Sequence, residues 1–138
     1  MSTVIRPEVA KSNLYFLPKH SFYELKHYCL QYPSWKKTVK DLDGYKPDCE
    51  IEKIPGVDFW KSNVETVVEL REVLLKKMDA IEYCTWKVDR DISKWLLKGV
   101  TEGISYSTLA ASYDIPCSKD LYYDRFRKFF WLLSKIRG

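Results

Sequence analysis

Near the end of the chain, apolar positions recur with the period of a helix. Tyr122, Phe126, Phe129, Leu133 and Ile136 fall at i, i+4, i+7, i+11 and i+14, which draws one continuous stripe along a helix face. Trp131 falls opposite that stripe, so a second packing surface or a partner is expected to cover it. Upstream, Ser105 opens a short helix in which Leu109 and Ala110 are expected to face inward, with Tyr113 and Ile115 closing the turn. Ile92, Trp95, Leu96 and Val100 mark a preceding helix, with Asp89 or Asp91 as its cap and Gly103 placed to stop it.

A long central helix is predicted from about Asp58. Trp60, Val64, Val67, Arg71, Leu74, Met78 and Ile81 recur in alternating steps of four and three, with Val68 and Leu75 widening the seam. That is the spacing of a coiled coil or a helical hairpin. Arg71 interrupts the seam, which favours packing within one chain. Further toward the start, Ser21-Phe22-Tyr23-Glu24 has the form of a capping box, predicting a helix from Ser21 to about Gln31 that Pro33 ends. Phe22, Leu25, Cys29 and Tyr32 lie on one side of it, with Tyr28 alongside. Ser34 is then placed to cap a short helix through Trp35, Val39 and Leu42, with Lys36, Lys37 and Lys40 on the outer side.

Residues 1 to 13 read as a lead-in, and residues 44 to 58, with Pro47, Pro55 and Gly56, as a loop. Strand patterns are weak throughout. The expected fold is all-α: a helical N-terminal lobe over 1–56, a long central helix over 57–88, and a C-terminal helix-turn-helix unit over 89–138.

Composition narrows the class. At 138 residues the chain suits one ordinary domain, or two small helical lobes sharing a core. With 46% hydrophobic and 30% charged residues it is a soluble globular composition, not a disordered one. The net charge of +4 is unevenly spread. From Trp86 onward ten Lys or Arg face six acids, whereas residues 51–85 hold five bases and seven acids, so the anion-binding capacity is expected at the C-terminal end. Without an apolar run at the start, or one long enough to span a bilayer, the expected setting is the cytoplasm. The four cysteines form no CxxC pair, and His20 and His27 are not spaced with them as zinc ligands, so buried free thiols are expected.

Catalytic chemistry has little to stand on. The chain holds no HExxH, P-loop, GxSxG or glycine-rich cradle. His27 and Cys29 are two residues apart, which on a helix points them away from each other. Glu65, Glu69 and Glu72 have no Glu-x-x-His beside them and read as a solvated acidic face. Neither an enzyme nor a cofactor nor a metal is expected.

The binding chemistry lies in the C-terminal third. A short helix, a turn and a cationic second helix make the smallest unit that enters a DNA major groove. Ala110 is the small residue expected to let two helices cross closely, and Ile115, five positions on, to plug the core between them. The turn Asp114-Ile115-Pro116-Cys117-Ser118 is about two residues longer than the usual glycine-containing one. After Ser118, six bases face two acids. Lys119, Tyr123, Arg127 and Lys128 lie off the apolar stripe near the helix start, where base edges and phosphates are met, with Ser118 and Arg125 in support.

The blocks Gly99–Tyr106 and Ile115–Leu133 resemble a family of small phage and prophage proteins of Gram-positive bacteria. Tyr15-Phe16-Leu17-Pro18-Lys19-His20 and Gln31-Tyr32-Pro33-Ser34-Trp35-Lys36 are similar to the same family's N-terminal signatures. That family is grouped with late-gene transcription activators of the RinA and ArpU kind, and its C-terminal unit is similar to the promoter-reading domain of sigma factors. The resemblance implies sequence-specific binding to double-stranded DNA near a promoter, a contact with RNA polymerase, and no cofactor.

Two other readings stand beside it. Tyr15, Phe16, Tyr23, Tyr28, Tyr32 and Trp35 are either core or the hot spots of a protein-binding surface, which would make the chain an interaction module for RNA polymerase or another phage or host protein. A DNA-packaging recognition subunit would pair the same C-terminal unit with a helical oligomerisation region and assemble as a ring. A transcription regulator would act as a monomer or homodimer.

Overall fold

The computed structural model describes residues 15–43 and 64–137. The expected lead-in, the 44–58 loop and the first turn of the central helix, Trp60 included, lie outside the described residues. Within them the chain is all α. The helices are α1 (Lys19–Leu30), α2 (Tyr32–Asp43), α3 (Val64–Val88), α4 (Ser93–Glu102), α5 (Tyr106–Tyr113) and α6 (Lys119–Arg137). Two compact units are formed, one from Met1–Gln31 with Ala80–Gly138 and the other from Tyr32–Asp79.

In the Tyr32–Asp79 unit, Pro33 begins a helix where it was expected to end one. A first-turn residue needs no amide donor, so proline is tolerated there and its fixed φ already suits the helix. Ser34 accordingly lies inside the first turn, where its carbonyl accepts a bond from Thr38 Oγ1 at 3.0 Å. Tyr32, Trp35, Val39 and Leu42 are buried at alternating steps of three and four. Lys36, Lys37 and Lys40 are exposed on the other side. On α3, Val67, Leu74 and Met78 are buried, while Val68 is 46% exposed and does not widen the seam. Arg71 keeps its seam position by turning its guanidinium to Asp43 at 2.6 Å, and Lys77 lies over the Trp35 ring at 5.3 Å. These two contacts tie the end of α2 to Arg71 and its start to Lys77.

The other unit is built from both ends of the chain. α1 starts two residues before the expected capping box, after Pro18, with no side-chain cap bond. Its entry is set instead by Leu17 and Phe22, buried in the two positions of a hydrophobic staple, and by Phe22 N–H donating to Pro18 O at 3.0 Å. α1 packs on α4 and α6, and α4 packs on α5 and α6. Phe22 inserts its ring beside Phe126 and Phe130, with centroids 6.2 and 5.1 Å away, and Phe130 meets Phe126 and Phe129 at 4.9 Å each. Such edge and tilted contacts suit the charge distribution of aromatic rings.

The stripe on α6 is broader than its spacing suggested. Phe130 is buried with Tyr122, Phe129 and Leu133, because α1 and α4 both cover this helix, whereas Ile136 is 45% exposed. Two buried threonines satisfy their hydroxyls locally, Thr85 on Glu82 O and Thr101 on Leu97 O, each at 2.7 Å. Burial pushes both core thiols up, Cys84 to about 12 and Cys29 further, so neither ionises near neutral pH.

α4 crosses α6 closely at Gly99. A glycine inside a helix costs roughly 1 kcal/mol against alanine, so a packing reason is required. A Cβ on Gly99 would stand 2.1 Å from Tyr122 Oη and 3.4 Å from Ile104 O. The small residue expected at Ala110 is exposed, and the crossing is made by α4 against α6. Tyr122 Oη is buried and has no hydrogen-bond partner among the described residues. Burial, chiefly, holds its hydroxyl well above the usual tyrosine range.

Gly99→Ala is therefore expected to destabilise the protein by about 1–3 kcal/mol through overpacking. Tyr122→Phe removes the obstructing atom and breaks no bond, so the double variant should recover most of the loss. Thermal melting followed by circular dichroism measures both. Equal melting of the single and double variants would refute this account.

Candidate nucleic-acid interface

The α5–α6 region is held at its turn by short-range bonds that compensate for the turn's length. Ser105 caps α5, accepting from Thr108 N–H at 3.4 Å. Gly103 ends α4 in the left-handed region at φ 68°, and Asp114 ends α5 there at φ 53°. The position that glycine usually fills is thus occupied by aspartate, one of the few L-residues that tolerates it. Ile115 N–H donates to Leu109 O at 3.3 Å, and both side chains are buried. Tyr113 stays 42% exposed, with Lys98 over its ring at 4.7 Å. Trp95 Nε1 donates to Tyr113 O at 2.7 Å, so α4 supplies a cap for the end of α5.

Tyr106 closes the turn from the other side. Its hydroxyl donates to Cys117 O at 2.5 Å, and its backbone N–H donates to Tyr123 Oη at 3.4 Å. Its ring lies 5.8 Å from that of Tyr122. Ser118 then starts α6, its hydroxyl accepting from Leu121 N–H at 3.2 Å and its carbonyl from Tyr122 N–H at 3.0 Å.

The six candidate residues divide by environment. Ser118 and Lys119 are exposed at the tip of α6. Arg127 is half-buried, and no ion-pair partner reaches it among the described residues. Tyr123 packs edge-on against Tyr122 and Phe126, with centroids 5.1 and 5.7 Å away, so it braces the turn. Arg125 turns to Asp89 on the link between α3 and α4 at 3.1 Å, and also to Asp124. Desolvation works against its charge, but the hydrogen bonds it donates to Asp89 and Asp124, with the attraction of both carboxylates, outweigh it and raise its pKa. Lys128 pairs with Asp124 at 3.3 Å, four residues earlier on α6, and sits 5.2 Å above the Tyr15 ring.

Sequence reasoning missed Tyr106, Asp89 and Asp124. The Asp124–Lys128 spacing was legible as an i,i+4 pair. Asp89 reaches Arg125 across 36 positions and leaves no local signal. Its other oxygen, Oδ1, accepts from Asp91 N–H at 3.0 Å, so one carboxylate closes the link and anchors α6. Neither Asp89 nor Asp91 caps α4; Ile92 stands there without a side-chain bond. Trp131 is covered by Tyr15, whose ring meets it edge-on at 5.3 Å, and by Lys135 at 5.6 Å. Among the described residues no cluster suited to a metal occurs, and no helix is long and apolar enough to cross a membrane.

Two outcomes follow for the scaffold. Asp89→Asn should lower stability by about 1–3 kcal/mol, since it removes the charge from a largely buried hydrogen bond to Arg125; urea denaturation measures this. Asp114→Gly should leave the protein as stable or raise its melting temperature, whereas Asp114→Val should lower it, because a β-branched residue resists the left-handed region. No protein-family model, curated protein or solved structure matches this chain.

Proposed function

We propose that the chain is a sequence-specific DNA-binding regulator of transcription of the phage type, with the start of α6 entering the major groove as the second helix of a helix-turn-helix. The observation that carries this reading is the braced tip of α6. Ser118 and Lys119 are exposed there, and Arg127, without a partner among the described residues, follows two turns along. A guanidinium is suited to bidentate contact with guanine, and an ammonium to phosphate. Packing of α4 against both α5 and α6 supports a three-helix platform beneath them. The resemblance of Gly99–Tyr106 and Ile115–Leu133 to phage late-gene activators and sigma-like promoter readers supports the same reading.

In this reading Lys119 and Arg127 make the main DNA contacts. Ser118 adds a hydroxyl near the backbone, and Tyr123 and Arg125 hold the helix. The protein works in the cytoplasm as a monomer or homodimer at a promoter, with RNA polymerase as its second partner. Burial of Tyr32 and Trp35 favours a core role for those N-terminal aromatics over a protein-binding one.

Titration of the purified protein against duplexes from its own genetic neighbourhood tests the proposal. The double variant Lys119→Ala with Arg127→Ala should weaken binding and flatten the plot of log affinity against log salt by up to about 1.8, roughly 0.9 for each lost phosphate contact. If Arg127 reads a base, the variant also loses discrimination of about 1–3 kcal/mol at that pair. An unchanged slope together with unchanged affinity would sink the assignment.

A further inference from the structure

Two of the cations on the first half of α6, Arg125 and Lys128, are already engaged inside the protein. Asp124 receives Lys128 Nζ at 3.3 Å and also the Arg125 guanidinium, which extends to Asp89 at 3.1 Å. Two carboxylates and two cations cancel, although on the sequence Arg125 and Lys128 both count toward an attractive face. None of the four is fully exposed: their side chains retain 16% (Asp89), 26% (Arg125), 31% (Lys128) and 38% (Asp124) of their accessibility. The Tyr15 ring below Lys128 holds the ammonium in the same place.

DNA is a polyanion, and affinity that ignores sequence scales with the number of phosphates neutralised. A carboxylate on the groove-facing helix opposes that affinity twice, by repelling phosphate and by occupying the lysine that would bind it. We infer that Asp124 sets the sequence-independent affinity of this protein for DNA by withholding Lys128 from the phosphates. It acts as a positioning residue, through Lys128. The inference rests on the DNA-binding reading above, and deepens it.

The test is a two-by-two set of full-length proteins: wild type, Asp124→Asn, Lys128→Ala, and the double variant, each titrated against a random-sequence duplex over a range of salt. Asp124→Asn should steepen the salt plot by about 0.9, one further phosphate, and bind up to about eightfold more tightly at 0.1 M salt. Lys128→Ala alone should leave the wild-type slope nearly unchanged, because that lysine is engaged, whereas in the Asp124→Asn background it should abolish the gain. Asp124→Ser, which also removes the charge, should reproduce the shift, and melting curves confirm that each variant is folded. A purely structural ion pair would move the melting temperature and leave the slope alone. An unchanged slope in both Asp124 variants, or a gain that survives Lys128→Ala, overturns the inference. Failure of the DNA-binding reading would show separately, as wild-type protein that binds neither random duplexes nor those of its own neighbourhood.

Discussion

The crossing of α4 over α6 at Gly99 is the contact on which the C-terminal architecture depends. With no Cβ in the way, the Tyr122 ring lies against the α4 backbone, and its hydroxyl fits where any other residue at 99 would intrude. That ring is one side of a cluster containing Tyr106, Tyr123 and Phe126. Tyr106 and Tyr123 in turn fasten the turn that leads into α6. The placement of the exposed tip is therefore inherited from one absent side chain twenty residues earlier.

The same crossing leaves Tyr122 Oη buried with no hydrogen-bond partner among the described residues, an arrangement that costs roughly 1–3 kcal/mol by comparison with other buried polar groups. Ring burial within the aromatic cluster opposes that loss. Around the tip several polar groups are matched. Asp89 serves two partners, Asp124 serves two, and Ser105 and Ser118 cap the helices they precede.

Helical class, the end of α4 at Gly103 and the start of α5 at Ser105 were legible because each rests on local chemistry: period, a left-handed terminus, a hydroxyl cap. The buried set on α2 was legible for the same reason. What misled was local chemistry with more than one solution. Pro33 both ends helices and begins them, and here it begins one. Ser21 to Glu24 matched a capping box, yet the Leu17 and Phe22 staple started α1 earlier. The close crossing at Gly99 was hidden because Gly99 and Tyr122 are distant in sequence, and Ala110 offered a nearer small residue. At the candidate interface, the exposure of Ser118 and Lys119 could be read from their position at the start of the helix. The engagement of Arg125 and the bracing role of Tyr123 could not, since both depend on groups brought in by tertiary folding.

Arg137 reaches Glu24 at 2.9 Å across 113 positions, and Phe22 completes the aromatic column of α6 from the opposite end of the chain. During synthesis α1 can meet α4 first, but its covering stays incomplete until α6 has left the ribosome. Closing so long a loop delays the contact and favours late, cooperative assembly of this unit. A nascent or truncated chain lacking α6 would leave Phe22 without the Phe126 and Phe130 rings that flank it, open to whatever chaperone or protease reaches it first.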